Sequence, residues 1–389
     1  MPVDSPSLSS ELVEKAHKIG AEIAAPHAAA VDRDARFPTE AFDALRKARM
    51  LGAFIPQAFG GMGCSIADLS GVCTALAQYC SATAMIYAMH QIQVACIVRH
   101  GQSAPHLRNY LTQLAENEWL IASATTELGV GGDVRTSLCT VERTGDRFAL
   151  AKKAPVISYA ESADDILVTA RRAPDAPSSD QVIVLTHKRD MTLEPLSTWD
   201  TLGYRGTCSL DFTLTATGHV DQIVPQPYAE ISSQTMLPTS HILWSSGWLG
   251  IATAAVNRAR AYIRAEARKN PGKTPVASVR LAEVVATLHS MRATVNDAVQ
   301  EYMRVADDVD AVSSMSFAIR MNNLKINCSQ FIVDIVSQCM LICGMAGYKI
   351  DSQYTLGQHL RDAYGAALMI NNDRILGNTS SMLLVSKDD

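Results

Sequence analysis

The run Ala124-Thr125-Thr126-Glu127-Leu128-Gly129-Val130-Gly131-Gly132-Asp133 concentrates glycines and hydroxyls behind a predicted strand. Such a loop presents backbone N–H groups with little side-chain obstruction, which suits an anionic or electron-rich cofactor. A plain surface loop accounts for the composition equally well. The spacing is not a dinucleotide-binding fingerprint, because its third glycine is missing and no helix is predicted to follow. Gly272-Lys273-Thr274 imitates the end of a phosphate loop, but the glycine that should precede it is absent. His241 could serve near neutral pH as a general base or orient a substrate. Beside Ile242, Leu243 and Trp244 it reads equally as a core histidine. Trp244-Ser245-Ser246 has the same two readings. The amides of Asn371 and Asn372 could hydrogen-bond a cofactor or substrate, the alternative being a helix N-cap at Asn372. Cys339 and Cys343 stand four apart on a predicted helix, but a zinc pair there lacks two further ligands, so no metal is expected.

These residues need elements to hold them. Periodicity predicts helices over most of 8–118: Leu12, Ala16, Ile19 and Ile23 recur at three and four spacing. A second helix opens at Pro38-Thr39-Glu40, and two apolar helices follow near 66–80 and 84–99. From about 121 the texture becomes short alternating or β-branched runs, at 121–125, 137–143, 148–151, 166–171, 182–187 and 209–215. Helical spacing returns through 243–268, 276–306 and 312–342, which antiparallel packing would close into a four-helix bundle with the last segment. The predicted domains are 1–119 (helical), 120–232 (a β-barrel or sandwich) and 233–389 (a helical bundle), an α+β chain that is mainly α. The 389 residues are 48% hydrophobic with a net charge of −5, enough to bury a large core and too little field to favour nucleic acid or an anionic membrane. No stretch approaches 18 uninterrupted apolar residues, so no membrane span is expected. Met1-Pro2-Val3-Asp4-Ser5 does not begin a signal peptide, and nine scattered cysteines suggest a reducing, cytoplasmic setting.

Residues 361–373, Arg-Asp-Ala-Tyr-Gly-Ala-Ala-Leu-Met-Ile-Asn-Asn-Asp, resemble the C-terminal signature of the acyl-CoA dehydrogenase superfamily. The common dehydrogenases of that family carry a glutamate nine residues after the arginine, which removes the substrate α-proton. Here that position is Ile370. Four further runs are similar to the family in the same order. Thr126, Glu127, Gly129, Gly131 and Asp133 match a Thr-Glu-Pro-x-x-Gly-Ser-Asp motif that lies against the flavin, with Leu128 for the proline and Gly132 for the serine. Val156-Ile157-Ser158 resembles a Trp-Ile-Thr/Ser run, which implies that the Ser158 hydroxyl bonds flavin N5. Leu202-Gly203-Tyr204-Arg205 resembles Leu-Gly-x-Arg. Arg36-Phe37-Pro38 and Ile55-Pro56 with Phe59-Gly60-Gly61-Met62-Gly63 match at the N-terminus.

The resemblance carries expectations about the site. Arg268, in Arg268-Lys269-Asn270-Pro271-Gly272, would contact FAD bound mainly to a neighbouring subunit of a homotetramer. Gly344 and Gly347 would form the turn near the FAD pyrophosphate, or cap a helix. The family's alternative base position, on the helix that opens the bundle, falls at Ser240, and His241 takes the place of an arginine near the thioester. Pro238 and Gly132 stand where CoA contacts usually lie. Asn371 and Asn372 replace the Gly-Thr that follows the usual glutamate. With the flavin side kept and the substrate side rebuilt, the implied function is an FAD-dependent oxygenase or oxidase. Its substrate would be an aromatic or otherwise activated small molecule of secondary metabolism, CoA thioesters included. Its other partners would be molecular oxygen and a flavin reductase or electron-transfer protein. The alternatives are an α,β-dehydrogenase of an unusual acyl-CoA using His241 or Glu127 as base, and a non-catalytic flavin-binding relative.

Overall fold

The computed structural model describes residues 8–269 and 271–386; Met1–Ser5 and Asn270 lie outside them. The N-terminal part holds α1 (Leu8–Ile19), α2 (Ala25–Arg33), α3 (Thr39–Lys47), α4 (Ile66–Ala77), α5 (Ser81–His100) and α6 (Pro105–Asn117). A π-turn, Gly20–Ala24, joins the first two, and a Cβ at Gly20 would run into the Tyr79 ring. The start of α4 is set locally by a capping box: Asp68 N donates to Ser65 Oγ and Ser65 N to Asp68 Oδ2. Helix α5 is buried on nearly every face, so its apolar length is that of a core helix.

The middle part is two sheets. β1 (Ile121–Ala124), β4 (Asp165–Arg171) and β5 (Gln181–His187) form one in the order β1-β4-β5, with β1 and β4 parallel. β2 (Glu142–Thr144), β3 (Arg147–Ala154), β6 (Met191–Pro195) and β7 (Phe212–His219) form the other, antiparallel in the order β2-β3-β7-β6. Strand β3 alternates exposed and buried residues along its length, the pattern of a sheet with one wet face. One strand expectation needs correction, and one strand was not expected. Residues 137–141 are irregular, with an isolated bridge from Thr140 to Arg171, because the segment spends its amides on a buried carboxylate. The edge strand β6 has a mostly exposed polar face and ends in proline, so it shows little hydrophobic alternation.

The C-terminal part begins earlier than its apolar period predicts. α7 (Tyr228–Ile231) and the π-turn Ser232–Met236 run directly into α8 (Leu237–Lys269). Pro238 offers no N–H to the helix ladder, and the wider turn before it accommodates that loss. α9 (Ser278–Val305), the short α10 (Val309–Val312) and α11 (Met315–Cys343) follow, then α12 (Met345–Tyr348), α13 (Gly357–Leu368) and α14 (Asn372–Leu383). Helices α8, α9 and α11 pack on one another, and α13 and α14 close the bundle against α11. One hydrophobic cluster runs through all three parts, joining Leu45, Ile86, Val168, Trp248 and Ile335. The architecture is the expected helical, β and helical succession.

Candidate active site

The glycine-rich loop is tied at its base by Glu127. That carboxylate is buried; it accepts from Ser137 Oγ (2.6 Å), Leu138 N (3.2 Å) and Cys139 N (2.6 Å), and Lys152 Nζ lies 3.5 Å away. Lys152 is itself buried and donates to Thr169 O and Oγ1. Its amine is held below the usual lysine range by burial, against the pull of Glu127. Glu127 therefore clips residues 127 and 137–139 together and has no acceptor to spare for a substrate proton. This corrects its candidacy as a base. The loop above the clip turns on left-handed residues, with φ of 95° at Gly129, 60° at Gly131 and 77° at Gly132, a backbone that L side chains rarely adopt. Among the described residues, the amides of these three glycines donate to nothing. Thr126 Oγ1 donates to Val156 O at 3.3 Å, which places the loop beside the Val156-Ile157-Ser158 run.

Ser158 is half-buried and its hydroxyl enters a chain. Ser158 Oγ is 2.7 Å from Ser209 Oγ, which is 2.7 Å from Thr207 Oγ1, and Thr207 donates to Tyr204 O at 2.8 Å. Tyr204 N then donates to Asp362 Oδ1 at 2.6 Å, and Ser81 Oγ donates to Asp362 Oδ2 at 2.5 Å. Arg361 pairs with Asp32 and donates to Leu202 O at 2.8 Å. The Arg361-Asp362 pair thus joins α2, α5, the 202–207 turn and α13. Gly203 is required there, since a Cβ would meet the Arg361 carbonyl oxygen at 2.5 Å. Burial pushes the Asp362 carboxyl up to about 6, partly offset by its two donors.

The third wall is the face of α8 that meets α11. Ser240 Oγ donates back to Met236 O within its own helix, so this hydroxyl is consumed as a helix back-bond. His241 is buried, with Nδ1 3.0 Å from Met321 O. A carbonyl only accepts, so Nδ1 carries the proton and Nε2 is a bare lone pair, buried without a partner. Burial, with help from the charge of Lys325, drives the imidazole down to about 4. The ring is neutral at physiological pH and a poor base. Lys325 donates to Ile370 O at 2.9 Å and to Asn372 Oδ1 at 2.6 Å, while Asn372 Nδ2 donates to Ser329 Oγ at 3.0 Å. Burial lowers the Lys325 amine to about 8. Asn371, not Asn372, caps α14, accepting from Asp373 N at 2.7 Å; Asn372 is turned inward to Lys325 instead. Ile370 itself has φ 44°, an outlying conformation for a β-branched residue. Arg374 closes the circuit by donating to Gly131 O at 2.5 Å.

Residues 126, 131, 158, 241, 325 and 370–374 are thus linked into one wall by consecutive contacts. The remaining expected residues lie elsewhere. Arg268 is exposed near the end of α8 and bonds its own helix at Arg264 O. Gly344 (φ 54°) ends α11 and opens α12, while Gly347 N donates to Gly344 O and a Cβ at Gly347 would meet Cys343. Helix capping explains Gly344, and close packing against Cys343 explains Gly347. Two participants escaped the sequence reading. Arg374 carries no motif that could have pointed to it. Lys325 left a signal: a single cation at core-facing spacing between Met321 and Cys328 on an apolar helix.

The chain matches the family models "Acyl-CoA dehydrogenase, N-terminal domain" over residues 9–118 and "Acyl-CoA dehydrogenase, C-terminal domain" over residues 232–370. It is 24% identical to the amino sugar nitrososynthase DnmZ of Streptomyces peucetius, covering 87% of this chain and 84% of that one. It is also 24% identical to the mitochondrial isovaleryl-CoA dehydrogenase of Oryza sativa subsp. japonica, covering 90% and 84%. Structures of the dibenzothiophene monooxygenase TdsC from Paenibacillus sp. A11-2, one of them FMN-bound, superpose with TM-scores of 0.84 and 0.82 at 17% identity, covering 96% of this chain and 97% of theirs. With both terminal domains matched and the fold shared, the chain belongs to the acyl-CoA dehydrogenase superfamily and is a flavin oxidoreductase of that fold.

Proposed function

We propose that this protein is a flavin-dependent oxygenase or oxidase that acts on an aromatic or otherwise activated small molecule, CoA thioesters included. The observation that carries this reading is that neither base position indicated by the family resemblance holds a carboxylate. Ile370 and Ser240 occupy the two base positions that the family resemblance indicates, Glu127 is spent on the loop, and His241 is too weakly basic to replace them. Loss of a placed base costs about 10²–10⁴ in rate, so proton abstraction from a saturated acyl chain is not what this wall is built for. The relatives named above include a nitrososynthase, a monooxygenase and an acyl-CoA dehydrogenase, so their names alone do not select the reaction.

The residues present fit a flavin. The undonated amides of Gly129, Gly131 and Gly132 offer donors to an electron-rich ring system, and the Thr126 and Ser158 hydroxyl oxygens beside them keep lone pairs to accept with. A bound flavin supplies two-electron redox chemistry and, once reduced, the reaction with oxygen. This chain's own part is to orient the ring through Ser158, anchor the loop through Glu127 and Arg374, and keep the substrate side apolar at Ile370 and Trp244. FAD, rather than FMN, would need Arg268 of a second copy, as in a tetramer; flavin released by heat and separated by chromatography distinguishes the two. Electrons would come from a flavin reductase, an electron-transfer partner or the substrate.

The test is anaerobic mixing of the flavin-loaded protein with a panel of acyl- and aryl-CoA esters, followed by the same panel with reduced flavin and oxygen. Oxygen uptake with an oxygenated product is expected. Prompt bleaching by a saturated acyl-CoA with formation of the enoyl-CoA would sink the oxygenase reading in favour of a dehydrogenase.

A further inference from the structure

Lys325 is a buried cation with no carboxylate beside it among the described residues. Its ammonium has three N–H groups, and two of them reach neutral acceptors, Ile370 O and Asn372 Oδ1. The third has no acceptor in the hydrogen bonds of the described residues. A leucine or methionine would fill this helix position without the cost of burying a charge, so packing alone does not explain the amine. Across from it on α8, His241 presents the opposite deficiency. Its tautomer is set by the Met321 carbonyl, and Nε2 is left as a buried lone pair with nothing to accept. Lys325 stands one helical turn beyond Met321 on α11, and the Met321 carbonyl holds His241 Nδ1 at 3.0 Å, so the two side chains share the same stretch of the α8–α11 seam. The half-buried indole of Trp244 lies 6.5 Å from the His241 ring, centroid to centroid, and gives the pair an apolar neighbour.

We infer that Lys325 and His241 form a recognition pair for a substrate hydroxyl or primary amine, Lys325 donating to the heteroatom and His241 Nε2 accepting its hydrogen. Only a group that both accepts and donates completes the two. An ether or tertiary amine satisfies the lysine and leaves Nε2 bare. A carboxylate would set a negative oxygen against the Nε2 lone pair. A weakly basic imidazole accepts the hydrogen without removing the proton, so the bound group stays neutral. This assignment rests on the oxygenase reading for where substrate binds, and it narrows the substrate to phenols, alcohols and amines.

The test measures binding, not turnover. Flavin-loaded protein is titrated with phenol, aniline, anisole, N,N-dimethylaniline and benzoate, followed by the flavin absorbance change and by ligand-observed NMR. Phenol and aniline should bind about tenfold more tightly than their methylated counterparts, the order expected for one hydrogen bond to a charged or buried partner. Lys325→Met and His241→Phe should each erase the preference, while Lys325→Arg, which keeps a cationic donor, should retain part of it. Flavin content and the unfolding midpoint report whether each variant folds; if Lys325→Met loses flavin, the His241→Phe arm decides. Equal binding of all five probes, no binding of any, or a preference that survives in both variants overturns the assignment. None of these measurements depends on oxygen uptake, so the oxygenase reading and the recognition pair can fail separately.

Discussion

Arg361-Asp362 and Ile370-Arg374 lie on one stretch of chain, and they do opposite things. The first pair binds Asp32, Ser81, Leu202 and Tyr204, which come from the helical and β parts. The second meets Lys325 and the glycine loop, and it has lost the carboxylate that family resemblance leads one to look for. The junction is held by contacts that reach residues from three parts of the chain at once. The turn is held by contacts that could be exchanged as a set, because one lysine, one asparagine and one arginine replace what a single acidic residue would demand. Residues that join the parts of the fold and residues of the proposed site therefore lie only a few positions apart on one stretch of chain.

The largest test of that contrast lies in the loop that both regions support. Glu127→Gln puts an amide donor among three donors and leaves Lys152 buried beside a neutral group. Stability should fall by about 3–5 kcal/mol, and flavin should be lost on gel filtration. Retention of both would show that the loop does not depend on its clip. Asp362→Ala should cost about 2–4 kcal/mol by urea unfolding, since it removes two short hydrogen bonds to a charged group at the junction. A change below 1 kcal/mol would mean the three parts hold together without it.

The pH dependence separates the regions by sign. His90 and His241 are buried with folded values near 4, below the ordinary 6.5. Each contributes stability that is present above pH 6.5 and lost as pH falls towards 4. Asp362, raised to about 6, works the other way: its contribution declines as pH rises from 4 to 6. The histidines should dominate, so the thermal midpoint should drop between pH 6.5 and 4.5, with a smaller drop in His241→Phe. An equal drop in the variant would remove His241 from the buried neutral set. The smallest effect belongs to Ile370→Gly. Relief of the left-handed strain, less the added freedom of the unfolded chain, should stabilise the protein by about 0.5–1 kcal/mol. A loss of stability instead would show that Ile370 contributes packing that outweighs its strain.

Much of the fold was legible because its signals are local. The Leu12-Ala16-Ile19 spacing, the apolar run that opens a helix near 66 and the alternation of β3 each report on neighbours a few residues away. The places that misled are those where a distant group takes over a local preference. Residues 137–139 would pair as a strand, but Glu127 claims their amides. Asn372 would cap a helix, but Lys325 turns it inward and the cap passes to Asn371.

From the amino-acid order alone came the helical, β and helical succession, the glycine-rich loop behind β1, and the lack of a carboxylate at Ile370 and Ser240. Those are facts of residue type and short spacing. That Glu127 is a clip and not a base, that Ser240 is spent within its helix, and that Lys325 holds Ile370 one turn from the carbonyl that holds His241 emerged only when α8, α11 and the turn before α14 were packed together. The reason is physical: whether a polar atom is satisfied depends on what lies within about 3 Å of it, and the chain brings those neighbours from anywhere along its length.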